Sequence, residues 1–379
     1  MKDAPVEVFP PGDFLKEELD ERAWSQTDFA DILKRPVRVV NEILNSKRAI
    51  TPETAQGIAD ALGGHAQYWL NLESAWQLHK VRQGPSGQDT AVSRRARLYS
   101  VAPIRDMIRR HWIEDSPNIE VLELRVLEFL GKESFDEELP WTLAARKSTS
   151  YDEIATPVQS AWLARARQLA LAAPVSGKYS PESFDDLVGE LKTLLAEPEE
   201  VRRVPRMLAD AGIRLVLIEP FKGSKIDGAS FWLDSSSPVI ALSLRFNRID
   251  NFWFILMHEL GHTKNRDALD NKQPAIDVDL ERKTKRPPAE EAASQFAAET
   301  LVDQMELEQF INRNYPLIYT TKIQGFAKIN GVHPGIVVGQ LHYRDKISYA
   351  HSRSLLVPIR QIVTLAALTD GWGLFPAGV

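Results

Sequence analysis

One stretch constrains this chain more than any other: Phe252-Trp253-Phe254-Ile255-Leu256-Met257-His258-Glu259-Leu260-Gly261-His262. An unbroken apolar run leads directly into the pattern H-E-x-x-H. A run with no polar side to offer solvent must be buried on most of its surface, so it predicts a core helix rather than a surface one. On that helix His258 and His262 lie four residues apart and project from one face. Two imidazoles so placed can grip one Zn²⁺, and Glu259 beside them can take a proton from water.

The rest of the composition narrows what such a site can be. The chain has 379 residues, no cysteine and a formal net charge of −6. Without cysteine there are no disulfides and no thiolate zinc sites, so any metal depends on His, Asp or Glu. The N-terminus Met1-Lys2-Asp3-Ala4-Pro5 has no apolar h-region, and no apolar run reaches membrane-spanning length. The expected setting is cytoplasmic, with no membrane partner. A globally basic nucleic-acid binder is excluded by the net charge, but a local basic patch is not.

Such a patch lies near the N-terminus. Residues 1–80 read as a bundle of short helices. Asp13 can cap the first, which runs through Leu19, and Ser25-Gln26-Thr27-Asp28 caps the second. Lys34-Arg35 makes a turn, Pro36 suits the start of a third helix, and Thr51-Pro52-Glu53 starts a fourth that ends at Gly63-Gly64. Residues 34–48 hold Lys34, Arg35, Arg38, Lys47 and Arg48 against the single acid Glu42. Helix, short turn, helix with cations and amides on the second helix is the helix-turn-helix plan for operator DNA. In that plan Arg35, Arg38 and Asn41 suit base edges, and Gln26, Lys47 and Arg48 suit phosphates.

Residues 81–205 read as a polar linker followed by helices, with no catalytic constellation. Strand-like runs begin only after it: Ile213 to Ile218, Ala229 to Leu233 and Val239 to Leu244. The fold expected is therefore multidomain. It comprises an all-α helix-turn-helix bundle (1–80), a linker and helical middle region (81–205), an α+β zincin-like domain with a small sheet and the H-E-x-x-H helix (206–350), and a C-terminal tail (351–379). A catalytic zinc needs a third protein ligand. After a charged loop, Lys264 to Pro288, expected to be exposed and mobile, Glu290 shares a helical stripe with Ala293 and Ala297 that packs toward the first helix. Glu290 is thus the leading third ligand, with Glu291 one step round and His333 and His342 as further candidates. Arg245, Tyr315 and His333 remain open as donors to an oxyanion.

Two resemblances extend this reading. Residues 11–72 resemble the HigA-type antitoxin branch of the XRE family, through Ser25-Gln26, Phe29-Ala30, Asn41 to Asn45, Lys47 to Pro52, Ala61-Leu62-Gly63 and Tyr68 to Leu72. That likeness implies a dimer on a short palindrome and, in some members, a toxin as partner. The family usually has Gly in the turn where this chain has Lys34-Arg35-Pro36. Residues 227–342 resemble the ImmA/IrrE metallopeptidases, through Asp227 to Trp232, Pro238 to Ile240, Arg245 to Phe254, His258 to His262, Glu290 to Leu301 and Gly331 to Gly339. This second resemblance implies zinc on His258, His262 and Glu290, with Glu259 as general base. Four residues after the ligand Glu that family favours Asn or Asp, where this chain has Ser294. Together these imply a DNA-binding regulator with a zinc-dependent endopeptidase that cleaves itself or a partner repressor or antitoxin, in a stress, toxin–antitoxin or mobile-element setting. The alternative is a HigA-like repressor whose peptidase-like domain senses or binds protein without turnover.

Overall fold

A computed structural model describes residues 8–83, 90–137, 156–270, 275–278 and 287–376. The chain divides into two compact units, Met1–Thr90 and Ala91–Val379.

Among the described residues, the first unit has five helices: α1 Pro11–Glu21, α2 Gln26–Leu33, α3 Val37–Leu44, α4 Pro52–Leu62 and α5 Ala66–Gln83. Asp13 does not cap α1. The helix starts two residues earlier at Pro11, whose fixed φ suits the first turn, and Asp13 lies inside it and pairs with Lys16. The Ser25 capping box forms as expected, with Asp28 N–H donating to Ser25 Oγ and Ser25 N–H donating to Asp28. Lys34 ends α2 in the left-handed region (φ 52°, ψ 43°), so a lysine takes the conformation for which the turn usually recruits glycine. Leu15, Phe29, Val40, Leu44, Ile58 and Trp69 form the core. Glu73 of α5 accepts the buried N–H of Ile50 and so ties α5 to the loop before α4.

The second unit begins with α6 Ala91–Val101, α7 Ile104–Arg109, α8 Ile119–Leu130, α9 Pro157–Ala172, α10 Pro181–Lys192 and α11 Val204–Asp210. Strands β1 Arg214–Ile218, β2 Ile226–Trp232 and β3 Pro238–Leu242 lead into α12 Ile249–Asn265, which carries the H-E-x-x-H. Then follow α13 Asp267–Asp270, β4 Ala275–Val278, α14 Pro288–Leu301, α15 Gln304–Asn314, α16 Thr320–Ile329, α17 Pro334–Tyr343, α18 Arg360–Thr364 and β5 Leu368–Asp370. The sheet order is β4-β2-β3-β1-β5. β1 is parallel to β3 and β5, and β2 is antiparallel to β3 and β4.

Both faces of this sheet are covered, and the strands show it residue by residue. Leu215, Leu217, Ile240 and Leu242 join the cluster built on α12, while Val216, Ile218, Val239 and Ala241 join the cluster built on α6 to α9. Strand side chains alternate between faces, so a strand buried on both sides reads as one continuous apolar run. The expected breaks near residues 205 and 350 are therefore not breaks in packing. The middle helices cover one face of the sheet, and the tail supplies its edge strand β5. The stretch 264–288 is also more than a bare loop, since it contains the end of α12, α13 and β4.

A buried ion pair joins these parts. Arg165 of α9 donates to Asp370 of β5 (2.5 Å), and the Trp112 indole N–H donates to the same carboxylate (3.1 Å). Removing one partner of a buried pair strands the other charge. Asp370→Ala is expected to destabilise the chain by about 3–5 kcal/mol, and the double change Arg165→Met, Asp370→Leu by much less. Urea unfolding of the three proteins tests this, and equal losses in both variants would refute the role of the pair.

Candidate metal centre and nucleic-acid interface

Helix α12 is buried along almost its whole length, from Ile249 through Thr263, and His258, Glu259 and His262 are all buried. Two glycines let neighbours come close enough to build a site around them. A Cβ at Gly261 would lie 3.0 Å from Ala293 Cα, so this position lets α14 pack directly against α12. A Cβ at Gly228 of β2 would overlap the Glu259 carboxylate, so Glu259 rests against the backbone of a strand. Both are close-approach glycines, required for space rather than for an unusual φ.

The contact at Gly261 brings Glu290, in the first turn of α14, onto the histidines. His258 Nε2 and His262 Nε2 are 3.1 Å apart, and each lies 3.2 Å from a different oxygen of Glu290. Glu291 points outward and is exposed. Among the described residues, His258, His262 and Glu290 are the group of metal-ligating side chains whose ligand atoms converge.

The far nitrogens tell how the rings are set. His262 Nδ1 lies 2.9 Å from Asp267 Oδ2, and His258 Nδ1 lies 3.2 Å from Ser294 Oγ. With Nδ1–H donating to these oxygens, both Nε2 atoms carry lone pairs. Two lone pairs and a carboxylate facing one another at 3.1–3.2 Å repel unless a cation lies among them. Tetrahedral zinc with ligands at about 2.0–2.1 Å has ligand–ligand edges of roughly 3.3–3.4 Å. The donor set thus fits zinc in chemistry and in size.

Asp267 was not recognised in the sequence, although it is the first acidic residue after His262. Only the tight turn out of α12 at Arg266 swings it back onto the ring. Ser294, shorter than the Asn or Asp of the resembling family, still reaches His258. The other sequence candidates lie elsewhere. His333 caps α17 and accepts the Gly335 N–H at Nδ1. His342 Nε2 is 3.1 Å from the His351 carbonyl. Arg245 donates two hydrogen bonds to Asp227 (2.7 and 3.0 Å), and Tyr315 is exposed beneath Lys346.

In the first unit, Asn41 and Gln26 are hydrogen-bonded to each other (2.9 Å) and both are exposed, joining the start of α2 to the exposed side of α3. Arg38 and Arg48 both donate to Glu42 (2.9 and 3.1 Å), and Arg38 holds that carboxyl below its ordinary pKa. Lys47 is exposed. Arg35 is half-buried and pairs with Glu53 of α4 (3.0 Å), so it braces the turn.

Residues 15–69 match the helix-turn-helix family, and residues 209–328 match the family described as IrrE N-terminal-like domain, a peptidase family. An uncharacterized HTH-type transcriptional regulator of Escherichia coli K12, YddM, is 38% identical over 73 residues, covering 19% of this chain and 78% of the relative. A solved addiction-module antidote protein of the HigA family from Coxiella burnetii is 33% identical, covering 21% of this chain and 86% of that one, with a TM-score of 0.20. The Pseudomonas aeruginosa antitoxin HigA, solved with the higBA promoter, is 30% identical, covering 20% and 84%, with a TM-score of 0.20. The chain belongs to the XRE-type helix-turn-helix regulators through its first unit, and its second unit carries an IrrE/ImmA-like peptidase-family domain. Among the described residues, no helix is long and apolar enough to cross a membrane.

Second-layer partners of metal-binding histidines set ring orientation and basicity. Asp267→Ala is expected to weaken zinc binding about 10–100-fold, measured by competition with a chromophoric chelator. An unchanged affinity would show that Asp267 does not orient His262.

Proposed function

We propose that the chain is a DNA-binding regulator whose second unit is a zinc-dependent endopeptidase, cleaving itself or a partner repressor or antitoxin. The observation that carries this reading is the buried triangle of His258, His262 and Glu290, with Glu259 beside it. Those three residues would hold the metal. A zinc ion held there supplies a Lewis acid that acidifies water and polarises a peptide carbonyl.

The chain's own residues do the remainder. Glu259, whose carboxylate lies against Gly228, takes the proton from the attacking water and passes it to the leaving amine. Asp267 and Ser294 hold the two imidazoles so that each turns Nε2 inward. The dry surroundings of α12 strengthen every charge interaction at the site. Glu259→Gln is nearly isosteric and is expected to keep zinc while abolishing cleavage of the chain or of a co-expressed repressor. Mass spectrometry of the products reads the result, and cleavage that survives in this variant would remove Glu259 from its role.

On DNA, the exposed pair Gln26–Asn41 together with Arg38, Lys47 and Arg48 forms the contact surface. A homodimer on a palindromic operator in the cytoplasm is the working arrangement. Arg38 and Arg48 must leave Glu42 to reach phosphates or bases, so binding weakens as salt rises. Asn41→Ala is expected to relax sequence preference, and Lys47→Ala to weaken all sequences about equally and lower the salt slope by about one. Gel-shift titrations at several salt concentrations measure both. A full chain that binds zinc and operator but cleaves nothing would leave the repressor reading without turnover.

A further inference from the structure

Helix α3 presents one stripe to its surroundings. Val40, Ile43 and Leu44 turn into the core, and Val37, Arg38, Asn41 and Asn45 are exposed. At 3.6 residues per turn these four fall within about 100° of one another around the helix axis, so they form a single face.

Three of the four are polar and already engaged. Arg38 donates to Glu42 (2.9 Å). Asn41 donates to Gln26 (2.9 Å), and Asn45 donates to both the carbonyl and the side-chain oxygen of Asn41 (2.9 and 3.2 Å). Val37 is the fourth. It is 42% exposed, it is the first residue of α3, and it follows Pro36, which is exposed and has no N–H. A single apolar side chain on a surface is ordinary. The setting of this one is not. It stands one turn before Asn41 on the same stripe, in the stretch 34–48 where five cations face one acid.

The chemistry of base edges selects what such a side chain can meet. In the major groove every base presents hydrogen-bonding atoms, and thymine adds a C5-methyl group. A valine laid on a hydrogen-bonding edge strips water from it and returns no hydrogen bond, which is unfavourable. Laid on the thymine methyl, it buries apolar surface on both partners. The residues of a recognition helix that reach base edges are its N-terminal ones, and the Cα–Cβ bond of a helical residue tilts toward that end. Val37 meets both conditions. It also gives up no hydrogen bond on binding, whereas Arg38 must leave Glu42, and such readiness lowers the cost of association.

We infer that Val37 selects thymine, through its C5-methyl group, at one fixed position in each operator half-site. The inference rests on the DNA reading above and adds to it the base that the first residue of α3 reads.

The full chain is first used to select bound sequences from a pool of randomised duplexes. One T·A pair should be enriched at a fixed position in each half-site, and Val37→Ala should lose that preference while keeping the others. Replacing that thymine with deoxyuridine removes the methyl group alone, since base pairing and the O4 acceptor are unchanged. Gel-shift titration should show wild type weakened about fourfold per half-site, the worth of one buried methyl group, and Val37→Ala weakened much less by the same replacement. The deoxyuridine comparison on wild type needs no variant. A pool in which no thymine depends on Val37, equal binding of thymine and deoxyuridine operators by wild type, or a methyl effect of the same size in Val37→Ala would overturn the inference and leave DNA binding standing. So would a loss in Val37→Ala that is equal for the two operators, which would place Val37 at a contact with protein rather than with a base. No salt-sensitive binding of any duplex would refute the DNA reading itself, and this inference with it.

Discussion

The close approach of α14 to α12 at Gly261 is the contact on which the second unit depends. Two helices normally keep 8–10 Å between their axes because side chains intervene. With no Cβ at Gly261, the backbone of Ala293 moves in, and Glu290, one turn earlier on α14, comes within 3.2 Å of both histidines. The centre is therefore a product of helix packing first and of ligand chemistry second. Glu290 is separated in sequence from His258 and His262 by the whole of α13 and β4, and only the seam between α12 and α14 brings it to them.

The seam holds because α12 is clamped from the other side as well. The sheet lies against it through Leu215, Leu217, Ile240 and Leu242, and the opposite face of the sheet is sealed by the helices of the middle region. The Arg165–Asp370 pair fastens that covering layer to the edge strand supplied by the C-terminal tail. Parts of the chain outside the candidate centre thus bury the helix that carries the H-E-x-x-H. A charge placed in such surroundings acts more strongly than it would in water.

The first unit works by opposite physics. Its candidate contacts lie on the surface, and their charges are held by acids of the same unit: Arg38 and Arg48 by Glu42, and Arg35 by Glu53. These exposed pairs are weak and salt-sensitive, so phosphate can displace the carboxylate. Arg35 is the exception. Half-buried and tied to α4, it supports the turn that Lys34 enters in a left-handed conformation.

How much of this was legible beforehand differs between local and long-range features. The H-E-x-x-H spacing, the capping box at Ser25, the apolar strands and the stripe carrying Glu290 are all written in neighbouring residues, because helix and strand periods place neighbours on common faces. The helix-turn-helix and the peptidase-family domain were likewise recognisable from short motifs. The role of Asp267, the strand inside residues 264–288 and the use of the tail as β5 were not. Each depends on where the chain returns in space, and no period in the sequence encodes that. Ser294 marks the boundary most clearly. The resembling family favours a longer Asn or Asp at this position, yet the glycine-permitted approach of α14 places Ser294 Oγ 3.2 Å from His258 Nδ1. Sequence alone determined which groups could hold a metal and which helix would carry them. Tertiary structure decided which of them meet, because distance between helices is set by the smallest residues at their seam.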